Sequence, residues 1–142
     1  MQSPQPRQPK LQQQKTIDLA EQALAGGNPT EAGKLAQRSL QAGEDPSRAY
    51  FVLAKVASFA GQMQEAESDF EKALRGAKEP HVIAWSHIYL GRILDIQQER
   101  DRALTQYKLA LATSDIPADA KAAAEHGLQE PYQPAKAKNN DE

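Results

Sequence analysis

Residues 50–74 read YFVLAKVASFAGQMQEAESDFEKAL, and the period of this stretch decides the fold. Tyr50, Leu53, Ala54 and Ala57 recur at steps of three and four, as do Ala66, Phe70, Ala73 and Leu74. Side chains three and four residues apart share one face of a helix. Gly61 stands between the two sets, where a helix must stop on a residue that tolerates positive φ. The stretch therefore predicts two antiparallel amphipathic helices. Such a pair is too thin to hide its own apolar stripes, so further pairs must pile onto it.

The flanks supply those pairs. TIDLAEQALAGGNPTEAGKLAQRSL from Thr16 and HIYLGRILDIQQERDRALTQYKLAL from His87 align with the central stretch. Ala32, Ala66 and Ala103 mark the common register at intervals of 34 and 37 residues, the longer interval fitting an insertion near residues 79–82. The stripes of the first pair are Leu19, Ala20 and Ala23, then Ala32, Ala36 and Leu40. Those of the third are His87, Leu90, Gly91 and Leu94, then Ala103, Tyr107, Ala110 and Leu111. Asn28-Pro29 and Asp45-Pro46 each put a capping side chain before proline at the first helical position, and Glu79-Pro80 and Ile116-Pro117 are weaker starts. Together these signals predict helices over 15–25, 29–42, 46–60, 62–75, 80–97, 99–113 and 117–127. In the last, Ala120, Ala123 and Ala124 can lie flat on the third pair, with Gly127 as a plausible stop.

These residues resemble the tetratricopeptide repeat family. The Leu90-Gly91 pair, Gly61, and the series Ala66, Phe70, Ala73 and Ala103, Tyr107, Ala110 carry the likeness over residues 15–127, at the family's period of about 34 residues. Thr16 and Ala36 stand where the family usually has large residues, and Gln98 replaces the turn glycine of the third unit. The resemblance implies an all-α fold. It would be a right-handed α-solenoid of three helix–turn–helix repeats (about 15–45, 46–79 and 80–116) with a C-terminal capping helix at 117–127, the domain spanning 15–128. It also implies a concave face lined by the first helix of each repeat.

Residues beside the stripes would fall on that face: Gln14, Ile17, Glu21 and Leu24, then Arg48, Phe51, Lys55 and Phe59, then Trp85, Ile88, Arg92 and Ile96, with Asp95 nearby. An extended peptide could lay apolar side chains on Phe51, Phe59 and Trp85 and set carboxylates against Arg48, Lys55 and Arg92. The expected peptide-binding set is therefore Arg48, Phe51, Lys55, Phe59, Trp85, Ile88 and Arg92. The same aromatic residues could instead pad the junctions between repeats or lie under the Gln-rich tail. One version of the family grips a C-terminal carboxylate with matched Lys, Asn and Arg. Ile17, Glu21, Val52, Trp85 and Tyr89 at the equivalent places lack that pattern.

A formal net charge of −2 lacks the basic excess of a general nucleic-acid binder. No apolar run approaches the roughly 18 residues of a membrane span. The chain has no Cys, which excludes disulfides and thiolate zinc sites. His81 and His87 are six residues apart, unlike the four-residue step of a helical metal pair, and His87 reads as a packed imidazole. His126 sits where a cation suits the end of a helix. No phosphate loop or nucleophile motif occurs, so no catalysis, metal or cofactor is expected.

Residues 1–14 and 129–142 are rich in Gln, Pro and charge and are expected to lack order, local docking of Tyr132 apart. No signal peptide is read in the first fifteen residues, and the compartment stays open between cytoplasm and bacterial periplasm. The expected function is a non-enzymatic adaptor for a protein or an extended, acidic peptide. The alternative is a structural or self-assembly module, either homo-oligomeric or part of a larger protein.

Overall fold

The computed structural model describes residues 14–134. Among these are seven helices and no strand: α1 (Thr16–Ala25), α2 (Pro29–Gln41), α3 (Pro46–Phe59), α4 (Met63–Leu74), α5 (Pro80–Ile96), α6 (Arg100–Leu111) and α7 (Ala118–Gln129). Each helix packs on the next, and α1 also meets α3, α3 meets α5, and α5 meets α7. The arrangement is all-α and repeat-like. Residues 1–13 and 135–142, expected to lack order, lie outside the described residues.

The helix starts follow from their caps. The Asn28 side chain accepts from the Glu31 N–H, and that of Asp45 from the Arg48 N–H, both at 3.3 Å, with proline at the first helical position each time. Lys15 gives α1 no such cap. Instead the Glu44 carboxylate reaches over from the α2–α3 connection and accepts from the Thr16 and Ile17 N–H groups at 3.3 and 2.9 Å. Those bonds, that from Ile17 first, hold the Glu44 carboxyl below its ordinary pKa.

Each helix pair turns in the same way. Gly27, Gly61 and Gln98 all have positive φ, at 84°, 78° and 65°. In each turn this residue's N–H bonds three residues back and the next N–H bonds five residues back. Gln98 thus adopts a left-handed conformation that costs a side chain about 1 kcal/mol.

The core falls into two clusters. One joins Ile17 and Ala20 to Ala32, Leu35 and Ala36, and closes on Ala49 and Val52 of α3. The other runs from Phe51 and Ala54 through α4, α5 and α6 to Ala120 and Ala124 of α7. The register residues Ala32, Ala66 and Ala103 are fully buried.

Two local expectations need correcting. Leu19, placed on a buried stripe, is 38 % exposed, and Ile17, placed on the open face, is fully buried. Gly127 does not stop a helix: α7 runs on to Gln129. A Cβ at Gly127 would lie 2.6 Å from Tyr107 Cε1, and one at Gly91 2.7 Å from the same atom. Both positions need glycine because the Tyr107 ring lies against them.

Candidate functional site

An aromatic floor joins α3, α4 and α5. Tyr89 is its centre. Its ring is stacked on Phe70 at 5.0 Å between centroids, and lies 5.5 Å from Trp85 and 6.4 Å from Phe51. Phe51 meets Phe70 edge-on at 5.9 Å and His81 at 5.6 Å. Helical spacing then delivers two cations. Lys55, one turn after Phe51, sets Nζ 5.5 Å from the Phe51 ring and 5.8 Å from Tyr89. Arg92, two turns after Trp85, sets its guanidinium 5.6 Å from Trp85 and 5.7 Å from Tyr89. Such contacts hold a cation's place at about 0.5–2 kcal/mol without consuming its charge. Among the described residues no carboxylate forms an ion pair with Lys55 or Arg92.

Two hollows adjoin the floor. The larger, about 650 Å³, is lined by Lys55, Phe59, Met63, Tyr89, Arg92, Ile93 and Ile96, together with Tyr132 and Pro134. The smaller, about 390 Å³, is lined by Glu21, Leu24, Phe51, Lys55, Phe59, Glu79 and His81 among others. Lys55 and Phe59 border both. Phe59 is 66 % exposed and Ile96 41 %, so the rim carries large apolar side chains beside two cations without an ion-pair partner among the described residues.

The seven residues expected to bind a peptide separate into three groups. Lys55, Phe59 and Arg92 stand together on the larger hollow. Phe51, Trp85 and Ile88 are 5 %, 3 % and 0 % exposed and belong to the core; placing them on an open face needs correcting. The stripe rule counts only a helix's partner within its pair, whereas α3 and α5 are also covered by the first helices of adjoining pairs, and α5 by α7. Arg48 is reachable, but its charge is already matched. It bonds Asp18 at 2.7 Å and Glu21 at 2.6 and 2.9 Å, with Glu79 3.8 Å away. These partners tie α1 to α3 and hold the Arg48 pKa well above its usual range, the Glu21 hydrogen bond most of all.

Met63, Tyr89 and Pro134 enter the site unforeseen, joined by Tyr132, which was expected only to dock locally. Of the first three, Tyr89 alone had a signal in the sequence, since Trp85, Tyr89 and Arg92 step by four and three along one face. Asp95 lies at the edge of the site with its side chain almost wholly buried. Its carboxylate accepts from the Tyr107 hydroxyl at 2.7 Å, from Arg100 Nη1 at 3.0 Å and from the Tyr132 N–H at 2.9 Å. Burial first, and then Asp95, drive the Tyr107 phenol far above its ordinary pKa, so it stays a donor. Arg100 extends the junction to the Gly127 carbonyl at 2.7 Å.

His87 is half-buried with Nδ1 2.8 Å from Gln106 Oε1. His126 lies 3.3 Å from Glu130. Among the described residues no group of three or more His, Asp or Glu could hold a metal ion, and no helix is long and apolar enough to cross a membrane. Compared with models of known protein families, the chain matches none. No curated protein is similar to it at a significant level.

Proposed function

We propose that this chain is a non-catalytic adaptor that binds an extended, acidic protein segment on the face formed by α1, α3 and α5. The helix pairs would stack as a right-handed, tetratricopeptide-like solenoid, with α7 as the cap and this face as its concave side. The observation that carries the reading is the pair Lys55 and Arg92. Both are held on an aromatic floor without a carboxylate partner among the described residues, beside the exposed Phe59 and Ile96. An extended chain rich in Asp or Glu satisfies those cations while its apolar side chains cover the rim.

The test is a Lys55→Glu, Arg92→Glu double variant of the full chain. Arg48 is left in place because its ion pairs hold α1 to α3. Displayed peptides rich in Asp, Glu and aromatic residues should enrich on the native chain and not on the variant. Equal enrichment on both, with helicity intact, would remove the face from consideration. A second reading, a self-assembly module, is supported by Leu19 and Leu109, which are exposed on α1 and α6. It predicts a concentration-dependent oligomer in sedimentation that a Leu19→Gln, Leu109→Gln variant loses.

A further inference from the structure

The chain that leaves α7 forms one wall of the larger hollow, through Tyr132 and Pro134. Glu130 is extended, at φ −154° and ψ 150°. It precedes Pro131, as Gln133 precedes Pro134. Proline disfavours the helical region at the residue before it, which turns Glu130 and Gln133 away from helix, while Pro134 itself is helical. Three of its groups engage the site. The Tyr132 N–H donates to Asp95 Oδ2 at 2.9 Å. The Tyr132 ring meets the Arg92 guanidinium at 4.7 Å, closer than that cation lies to Trp85 or Tyr89. Pro134 joins Phe59, Met63 and Ile96 in lining the hollow. A main-chain hydrogen bond with alternating side chains seated in the site is how an extended ligand is held.

We infer that Tyr132-Gln133-Pro134 is a resident ligand: the site receives a segment with an aromatic side chain two residues ahead of a proline, the chain's own copy is seated there in cis against Arg92 and Asp95, and a partner of the same pattern must displace it. This deepens the adaptor reading and rests on it for the partner. The Asp95 carboxylate is built to take that N–H, because Tyr107 and Arg100 fix its position from α6. Lys55 lines the same hollow without a described carboxylate partner. An acidic side chain in the partner therefore supplies what the resident segment does not, and lets the partner win the exchange.

The test uses the full chain and its Tyr132→Ala variant. The probe is a synthetic peptide of residues 129–142, QEPYQPAKAKNNDE. Binding is followed by amide shifts on α3 and α5 and by the emission of Trp85, the only tryptophan of the chain. A short tether presents its ligand at an effective concentration of about a millimolar, so the peptide should bind Tyr132→Ala at least ~10-fold more tightly than the native chain. A peptide with its Tyr replaced by Ala should bind neither. Equal affinity for both chains overturns the resident role while leaving the adaptor reading standing. Absence of shifts in folded Tyr132→Ala at about 5 mM peptide, several times that effective concentration, also overturns it. Sedimentation at the same chain concentrations gives the remaining outcome. A dimer present in the native chain and lost in Tyr132→Ala places the segment in a second copy, which overturns the arrangement in cis. The Lys55→Glu, Arg92→Glu comparison with acidic peptides judges the adaptor reading separately.

Discussion

Replacing Gly91 by alanine probes the junction of α5, α6 and α7 with one carbon atom. A Cβ there falls 2.7 Å from Tyr107 Cε1 and 2.9 Å from Cζ, well inside the roughly 3.5 Å at which carbon atoms come to rest. The ring has little room to withdraw. Its hydroxyl is held by Asp95 at 2.7 Å, and Gly127 of α7 closes on the same edge. Overpacking a filled core costs about 1–3 kcal/mol, and this overlap belongs at the upper end. Alanine in a helix recovers about 1 kcal/mol over glycine. The net expectation is a loss of about 2 kcal/mol, or roughly 8 °C in melting temperature for a chain of this size. Gly33 is the control, because a Cβ there meets only Val56 Cγ1 at an ordinary 3.7 Å. Gly33→Ala should gain about 0.5–1 kcal/mol. Urea unfolding followed by circular dichroism measures both. If the two substitutions shift stability in the same direction, the steric account of Gly91 and of the Tyr107 site is refuted.

Gln98→Gly relieves a left-handed side chain at the third turn and should stabilise by about 0.5–1 kcal/mol, against the usual cost of added glycine; a lower urea midpoint would contradict it. Asp95→Ala leaves Arg100 and Tyr107 without their acceptor and should cost about 3 kcal/mol, with the Tyr132 amide losing its protection from hydrogen exchange. For Glu44, whose folded pKa lies below the ordinary value of 4.5, the sign follows from linkage. Its contribution is fully present above the unfolded pKa and disappears as pH falls through the lower folded value. Native stability should therefore fall more steeply than that of Glu44→Gln as pH drops below about 4.5. Parallel curves would remove the Glu44 cap from the account of α1.

The helices were legible because an apolar stripe recurs in each, and proline and cap residue agree with it at the starts of α2 and α3. Asn28-Pro29 and Asp45-Pro46 put α2 and α3 where the chain places them, and the other predicted bounds fall within two residues of those observed. The site was less legible for two physical reasons. Burial of Phe51, Trp85 and Ile88 comes from neighbouring pairs, which lie outside the window that a periodicity of three and four surveys. Charge pairing is equally remote: Arg48 finds Asp18 and Glu21 about thirty residues back, and no local pattern separates it from Lys55, which has no described ion-pair partner. Tyr132 was singled out in its Pro-rich flank, but the acceptor that seats it, Asp95, is 37 residues away.

The two core clusters give the molecule a weak end and a strong one. At the N-terminal edge, α1 and α2 share a small nucleus of Ile17, Ala20, Ala32, Leu35 and Ala36, clipped on through Glu44 and Arg48. At the opposite edge, Asp95 and Arg100 rivet α5, α6, α7 and the chain beyond it through buried and partly buried polar bonds. Fraying therefore has a polarity. The first pair should peel away before the other five helices open, and deuterium should enter α1 and α2 before α5.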